Sequence, residues 1–252
     1  MNDLVAVGRQ GTPDVAAGLA ELARRHRAAN GPGMRLVSLL GGSAENLLER
    51  LPDAVKDRLE ATTRSALALA FSAAAASRGV VRDRGDWLNT AVTAALGAAG
   101  GAGGLPTALA ELPVTTTVLL RAIQGIAAEY GFDPADEATK ADCLRVFAAA
   151  GPMAADDGSD LGFLAARVTI TGQSVQTLIG RVAPQLSLVL GQKLAAQAAP
   201  LIGAVTGAAL NYIFTSYYQE MARVHFGLRK LAEEAGEDRE GLAGRLRALI
   251  AA

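Results

Sequence analysis

One cysteine, two histidines and four lysines in 252 residues leave little of the side-chain chemistry from which many sites are built. The single thiol, Cys143, excludes an intrachain disulfide framework and cannot assemble a cysteine-rich zinc site. It reads as a small buried hydrophobe on a helix, in keeping with a reducing compartment. Aromatics are 4% of the chain, so a core must be packed from small residues: 53 are Ala and 28 Gly. Charge of one sign is also missing. A formal net charge of −1 offers no global positive field for phosphate backbones, and nucleic acid is not expected as a partner. Low charge with 50% hydrophobic residues sets the chain far from disorder.

Two runs lack Asp, Glu, Lys and Arg altogether, Trp87–Ala110 and Leu194–Gln219. Both exceed the roughly 20 residues that cross a bilayer. Neither reads as a spanning helix. The first is broken by Gly97, Gly100, Gly101, Gly103, Gly104 and Pro106; the second contains Gln197, Pro200, Asn211 and Ser216, leaving a short apolar stretch, Ala198–Leu210. Met1–Gly11 has neither a positive n-region nor an apolar stretch, so no secretory leader is read there.

Period-two alternation is absent, and Ala- and Leu-rich segments are punctuated by Gly and Pro. The expected fold is therefore all-α, a single helical domain of about seven to nine helices with a Gly-rich interhelical turn at Gly97–Gly104. Residues 1–50 read as an N-terminal helical extension, 51–235 as the main all-α domain and 236–252 as a C-terminal amphipathic helix that docks on the protein body. Thr12-Pro13-Asp14 starts the first helix, with Val15, Leu19 and Leu22 at helical spacing and His26 in a solvated basic end. Pro52 precedes a helix over 53–77 with Val55, Leu59, Leu67 and Phe71 on one face, and Asp86 caps a helix to about Ala99. Leu112–Glu129 is a helix ended by Gly131, and Asp133-Pro134 starts one reaching about Ala150. Helical turns are expected to be interrupted near Thr169–Gly172 and at Pro184, and one helix of over thirty residues follows Pro200.

Motifs for catalysis are missing. His26 and His225 stand in no His-Glu-x-x-His frame, there is no Gly-x-Ser-x-Gly elbow, and the glycine run fits no nucleotide-binding fingerprint. The Asp156–Asp160 loop would place Arg167 where a calcium hand needs a bidentate Glu. No metal and no cofactor is called for. A carboxylate pair such as Glu111 with Glu129 would act only if folding brought it together.

Two features stand above this background. Ala195, Ala199, Gly203 and Gly207, followed by Asn211, form a small-residue ridge at four-residue spacing, suited to close helix packing in a core or against a membrane. Arg121 is the one charge between Glu111 and Glu129, a turn after Thr117. Its plainer reading is an ion pair or carbonyl contacts in the core. Its sharper reading joins it to Thr115, Thr116, Thr117 and the helix-start amides as a lipid-phosphate or anion site, with Asn211 the analogous polar group on the later helix.

The segments Leu112-Pro-Val-Thr-Thr-Thr-Val-Leu-Leu-Arg121-Ala-Ile and Pro200-Leu-Ile-Gly-Ala-Val-Thr-Gly207-Ala-Ala-Leu-Asn211-Tyr together resemble the EcsC family, bacterial proteins named for the third product of an operon that also encodes an ABC transporter. The resemblance covers about residues 55–232. It implies a helical protein on the cytoplasmic side. Some members carry a peptidase-like label, which none of these residues supports. Pro113, Thr115, Thr116, Thr117, Arg121, Gly203, Gly207 and Asn211 match the family pattern without an assigned reaction. The expected function is accordingly a non-enzymatic cytoplasmic protein that associates peripherally with the inner membrane face or binds a lipid. The alternatives are a hydrolase or peptidase-like enzyme with an unrecognised acidic site, or a soluble interaction module whose protein partner is a transporter or regulator.

Overall fold

Two aspartates show how this chain begins its helices. Asp14 Oδ1 accepts the Ala17 amide at 3.0 Å, and the Asp238 carboxylate accepts the Gly241 amide at 3.1 Å, each satisfying a donor that an isolated helix start leaves orphaned. Glycine ends them. Gly131 at φ +88° and Gly236 at φ +65° take the left-handed conformation that lets the chain leave a helix, and the amides that follow, Phe132 to Ala127 and Glu237 to Ala232, return to late carbonyls.

A computed structural model describes residues 14–29, 51–77, 112–148, 175–197 and 204–252, with Gly31 and Glu49. These form seven helices and no strand: α1 Val15–Ala29, α2 Asp53–Ser77, α3 over 112–129, α4 Glu137–Ala148, α5 Val175–Gln197, α6 Ala204–Ala235 and α7 Arg239–Ala251. The all-helical expectation holds. The Gly97–Gly104 turn, the helix expected from Asp86, the Asp156–Asp160 loop, the breaks near Thr169–Gly172, and Glu111 lie outside the described residues.

The spine is α6, 32 residues and about 48 Å long. Its first half contributes Leu210, Phe214, Tyr217, Tyr218, Met221 and Ala222 to a large core shared with α2, α3, α4 and α5. Its second half carries Val224, Leu228, Leu231 and Ala232 into a smaller core, where Leu19, Leu22 and Ala23 of α1 meet Leu242, Ala243 and Leu246 of α7. Close approach there depends on glycine. A Cβ added at Gly227 would meet Leu22 Cδ2 at 2.7 Å, and one at Gly18 would meet Leu231 Cδ2 at 3.0 Å.

Several expectations are corrected. His26 is buried at 1% exposure, because it falls on the same α1 stripe as Leu19, Leu22 and Ala23, which packs against α6 and α7. Asp133 starts a turn and not the helix: its carboxylate accepts the Ala135 amide at 2.8 Å, and regular helix begins at Glu137. Helix α5 passes through Pro184 without a break. Proline in a helix interior costs about 3 kcal/mol, but Ile179, Leu186, Leu190 and Leu194 are all buried on that helix, and each contributes about 1.5–3 kcal/mol. Burial wins. On α7, Leu242, Ala243 and Leu246 are buried and Ile250 packs beside them, while Leu249 is 40% exposed. Of the small-residue ridge, Ala195 is a buried residue of α5, Gly207 and Asn211 belong to α6, and Ala199 and Gly203 lie outside the described residues. Among the described residues no helix is long and apolar enough to cross a membrane.

Candidate functional site

Two places concentrate chemistry, a groove on α2 and a buried ionic cluster where α4, α6 and α7 meet. The groove follows from helical spacing. Arg58, Ala61, Thr62, Ser65, Ala66 and Leu69 recur at intervals of three and four residues and share one face of α2, about 16 Å from end to end. With Pro113 from the first turn of α3 they line an open groove of about 390 Å³. Its chemistry is graded. Arg58 is exposed at one end and carries no ion pair among the described residues, whereas its neighbours Lys56 and Arg64 are paired with Asp53 at 3.2 Å and Glu60 at 2.7 Å. Leu69 at the other end is 55% exposed, and Val114 beside Pro113 is 48% exposed. Thr63 and Thr116, on the two helices that flank the groove, are fully buried with hydroxyls that have no hydrogen-bond partner.

The anion-site residues singled out from the sequence do not line this groove. Thr115 and Thr116 are buried, and the Thr117 hydroxyl is committed to the Pro113 carbonyl at 2.7 Å. Arg121 is half-buried one turn further along α3 and has an interaction partner. Asn211 is buried on α6, where its carbonyl accepts the Thr215 hydroxyl at 2.7 Å. Cys143 is a buried thiol on α4, as expected. Among the described residues no group of His, Cys, Asp and Glu could hold a metal.

The ionic cluster is built around Asp142, which is 4% exposed on a helix whose Ala141, Cys143, Leu144, Val146 and Phe147 are all buried. A carboxylate in such surroundings needs partners, and it has four. Oδ1 accepts from Arg145 Nη1 at 2.7 Å and from His225 Nε2 at 3.1 Å. Oδ2 faces Arg229 Nη1 at 3.2 Å and Arg239 Nη1 at 3.7 Å. Arg229 also lies 3.9 Å over the Phe132 ring and reaches Glu233 at 3.1 Å. Burial pushes the Asp142 carboxyl up, but the His225 hydrogen bond and the charges of Arg239 and Arg145 outweigh it and hold the group far below the usual carboxylate range. Burial lowers His225 despite that same hydrogen bond, and the charges of Arg239 and Arg145 act in the same direction. A neutral ring fits the geometry: Nε2–H donates to Asp142, and Arg239 Nη2 lies against both ring nitrogens, 3.2 Å from Nδ1 and 2.9 Å from Nε2. That arrangement is not a hydrolase dyad. The nitrogen that would serve as base faces a guanidinium, where a nucleophile would have to be.

Metal and protease frames, the patterns against which a histidine is tested in a sequence, do not find this cluster. Two signals do point to it. Asp142 and Arg145 are spaced i, i+3 among the apolar Ala141, Cys143, Leu144, Val146 and Phe147, and His225 and Arg229 are spaced i, i+4 on α6. What no spacing shows is that these pairs meet across 87 positions.

The sequence model of the EcsC protein family matches residues 81–231, and the chain belongs to that family. The match begins later than the resemblance from residue 55 implies. It takes in α3, α4, α5 and most of α6, and leaves α1, α2 and α7 outside. No curated protein and no solved structure matches the chain. Of the ionic cluster, Asp142, Arg145, His225 and Arg229 lie in the matched span, and Arg239 is supplied from beyond it.

Proposed function

We propose that this EcsC-family chain is a non-enzymatic protein that binds an anionic amphiphile and through it associates peripherally with the inner face of the cytoplasmic membrane. The α2 groove carries this reading: an exposed guanidinium at one end, small and apolar side chains for about three helical turns, and an exposed leucine at the other. Such a grading matches a ligand with a charged head and a hydrocarbon body. The Thr115–Thr117 run and Arg121, where the sequence suggests an anion site, sit on the helix whose first turn closes the groove. The wide opening suits a ligand exchanged with a membrane surface and not one sealed in a core.

Dodecanoate below its critical micelle concentration is a direct probe. Calorimetric titration is expected to give saturable binding to the parent chain and at least about tenfold weaker binding to Arg58→Glu, a loss of roughly 1.4 kcal/mol. Ser65→Trp fills the groove from an exposed position and should abolish binding with helix content unchanged. Equal affinity in the parent and both variants contradicts the reading.

A further inference from the structure

Three guanidiniums from three helices converge on a single carboxylate, and the count of donors exceeds what that carboxylate accepts. Both Asp142 oxygens are occupied, by Arg145 and His225 on one and by Arg229 and Arg239 on the other. Among the described residues Glu233 is the other acid at the cluster, 58% exposed and paired with Arg229. Among the described residues three positive groups thus face two negative ones, with His225 neutral between them. Two buried nitrogens are left over: Arg145 Nη2 and Arg239 Nε have no hydrogen-bond partner among the described residues. Leaving donors of charged groups unmet is costly, and guanidiniums brought this close repel one another. The cluster nevertheless reaches solvent, since the Arg229 and Arg239 side chains are 22% and 27% exposed.

We propose that Arg145, Arg229 and Arg239 form a binding site for a tetrahedral oxyanion of the phosphate class. Forked donors arriving from three directions suit a tetrahedral acceptor better than a planar one, and a dianion answers the surplus positive charge. Glu233 is the competitor: it occupies Arg229 from the solvent side and swings away as the anion binds. Because Arg239 comes from α7, an occupied site would also fasten the C-terminal helix to α4 and α6. The phosphate group belongs either to a soluble phosphate or to a lipid head group, and the site lies apart from the α2 groove.

Thermal unfolding of the full chain distinguishes these sources. The probes are inorganic phosphate, against sodium chloride at matched ionic strength, and phosphatidylcholine vesicles with or without phosphatidate. Phosphate is expected to raise Tm saturably, and Glu233→Gln, which alters an exposed residue, should lower the half-saturating concentration about three- to tenfold by releasing Arg229. Arg239→Gln should raise it at least about tenfold, whereas Arg24→Gln, at an exposed position on α1, should leave it unchanged. A response to phosphatidate vesicles alone, with the same ranking of variants, assigns the site to a lipid head group. No shift beyond the chloride control with either probe, or the same half-saturation in the parent and Glu233→Gln, overturns the proposal.

Discussion

His225 Nε2 donates to Asp142 Oδ1 at 3.1 Å, and this contact joins the long spine helix to α4 at a point where both side chains are almost wholly withdrawn from water. The same carboxylate draws in Arg239, so one acid on α4 ties together three helices. Breaking a buried pair from the acid side leaves charges without compensation, which is far costlier than never having buried them.

Asp142→Asn is accordingly expected to cost about 3–5 kcal/mol, because three guanidiniums lose their shared anion. Chemical denaturation measures this directly. The control is Glu21, whose pairs with Arg24 and Arg25 on α1 are largely solvated. Glu21→Gln should leave the stability of the parent nearly unchanged. Equal effects of the two substitutions would show that burial adds nothing to the cluster.

Stability should fall on mild acidification. The folded-state affinity of His225 for a proton lies below its unfolded value, so the unfolded chain takes up a proton near pH 6.5 that the folded chain refuses. The contribution is present above about pH 6.5 and is lost as pH falls below it, by at most about 1.4 kcal/mol per pH unit for one group. Asp142 acts in the same direction at lower pH: its carboxylate adds stability above about pH 4, which is lost as acid protonates it. Denaturant midpoints from pH 8 to pH 5 should decline below about pH 6.5, and His225→Gln should show a shallower decline than the parent.

Contact between α1 and α6 should be sensitive to a single methyl group. Gly227→Ala places a Cβ 2.7 Å from Leu22, which is itself packed in the smaller core, and is expected to cost about 1–3 kcal/mol. Gly241→Ala, with nothing within 4 Å and a helical backbone, should be neutral or slightly stabilising. Thermal melts of the two variants check the contrast.

Much of the scaffold is legible in the sequence because it is local. The boundaries of α2 and α3, the end at Gly131 and the long α6 follow from caps, glycines and apolar spacing, all of which act within a few residues. Where the sequence misleads, distant packing overrides a local rule. Pro184 breaks an isolated helix but not one buried against α2 and α4, and His26 joins three basic neighbours in sequence yet points the way Leu22 does. The site divides the same way. Arg121 and the threonines stand out along the chain, but Arg58 of the groove and Asp142 of the cluster look ordinary until folding sets Pro113 beside one and α6 and α7 around the other.

Vesicle flotation tests the central claim most directly. The full chain, Arg58→Glu and Ser65→Trp would each be floated with zwitterionic vesicles and with vesicles containing anionic lipid at physiological salt. Amphiphile binding through the groove predicts that the parent rises with anionic vesicles and that both variants remain at the bottom of the gradient with helix content intact. A parent that stays behind, or variants that float equally well, would contradict the account.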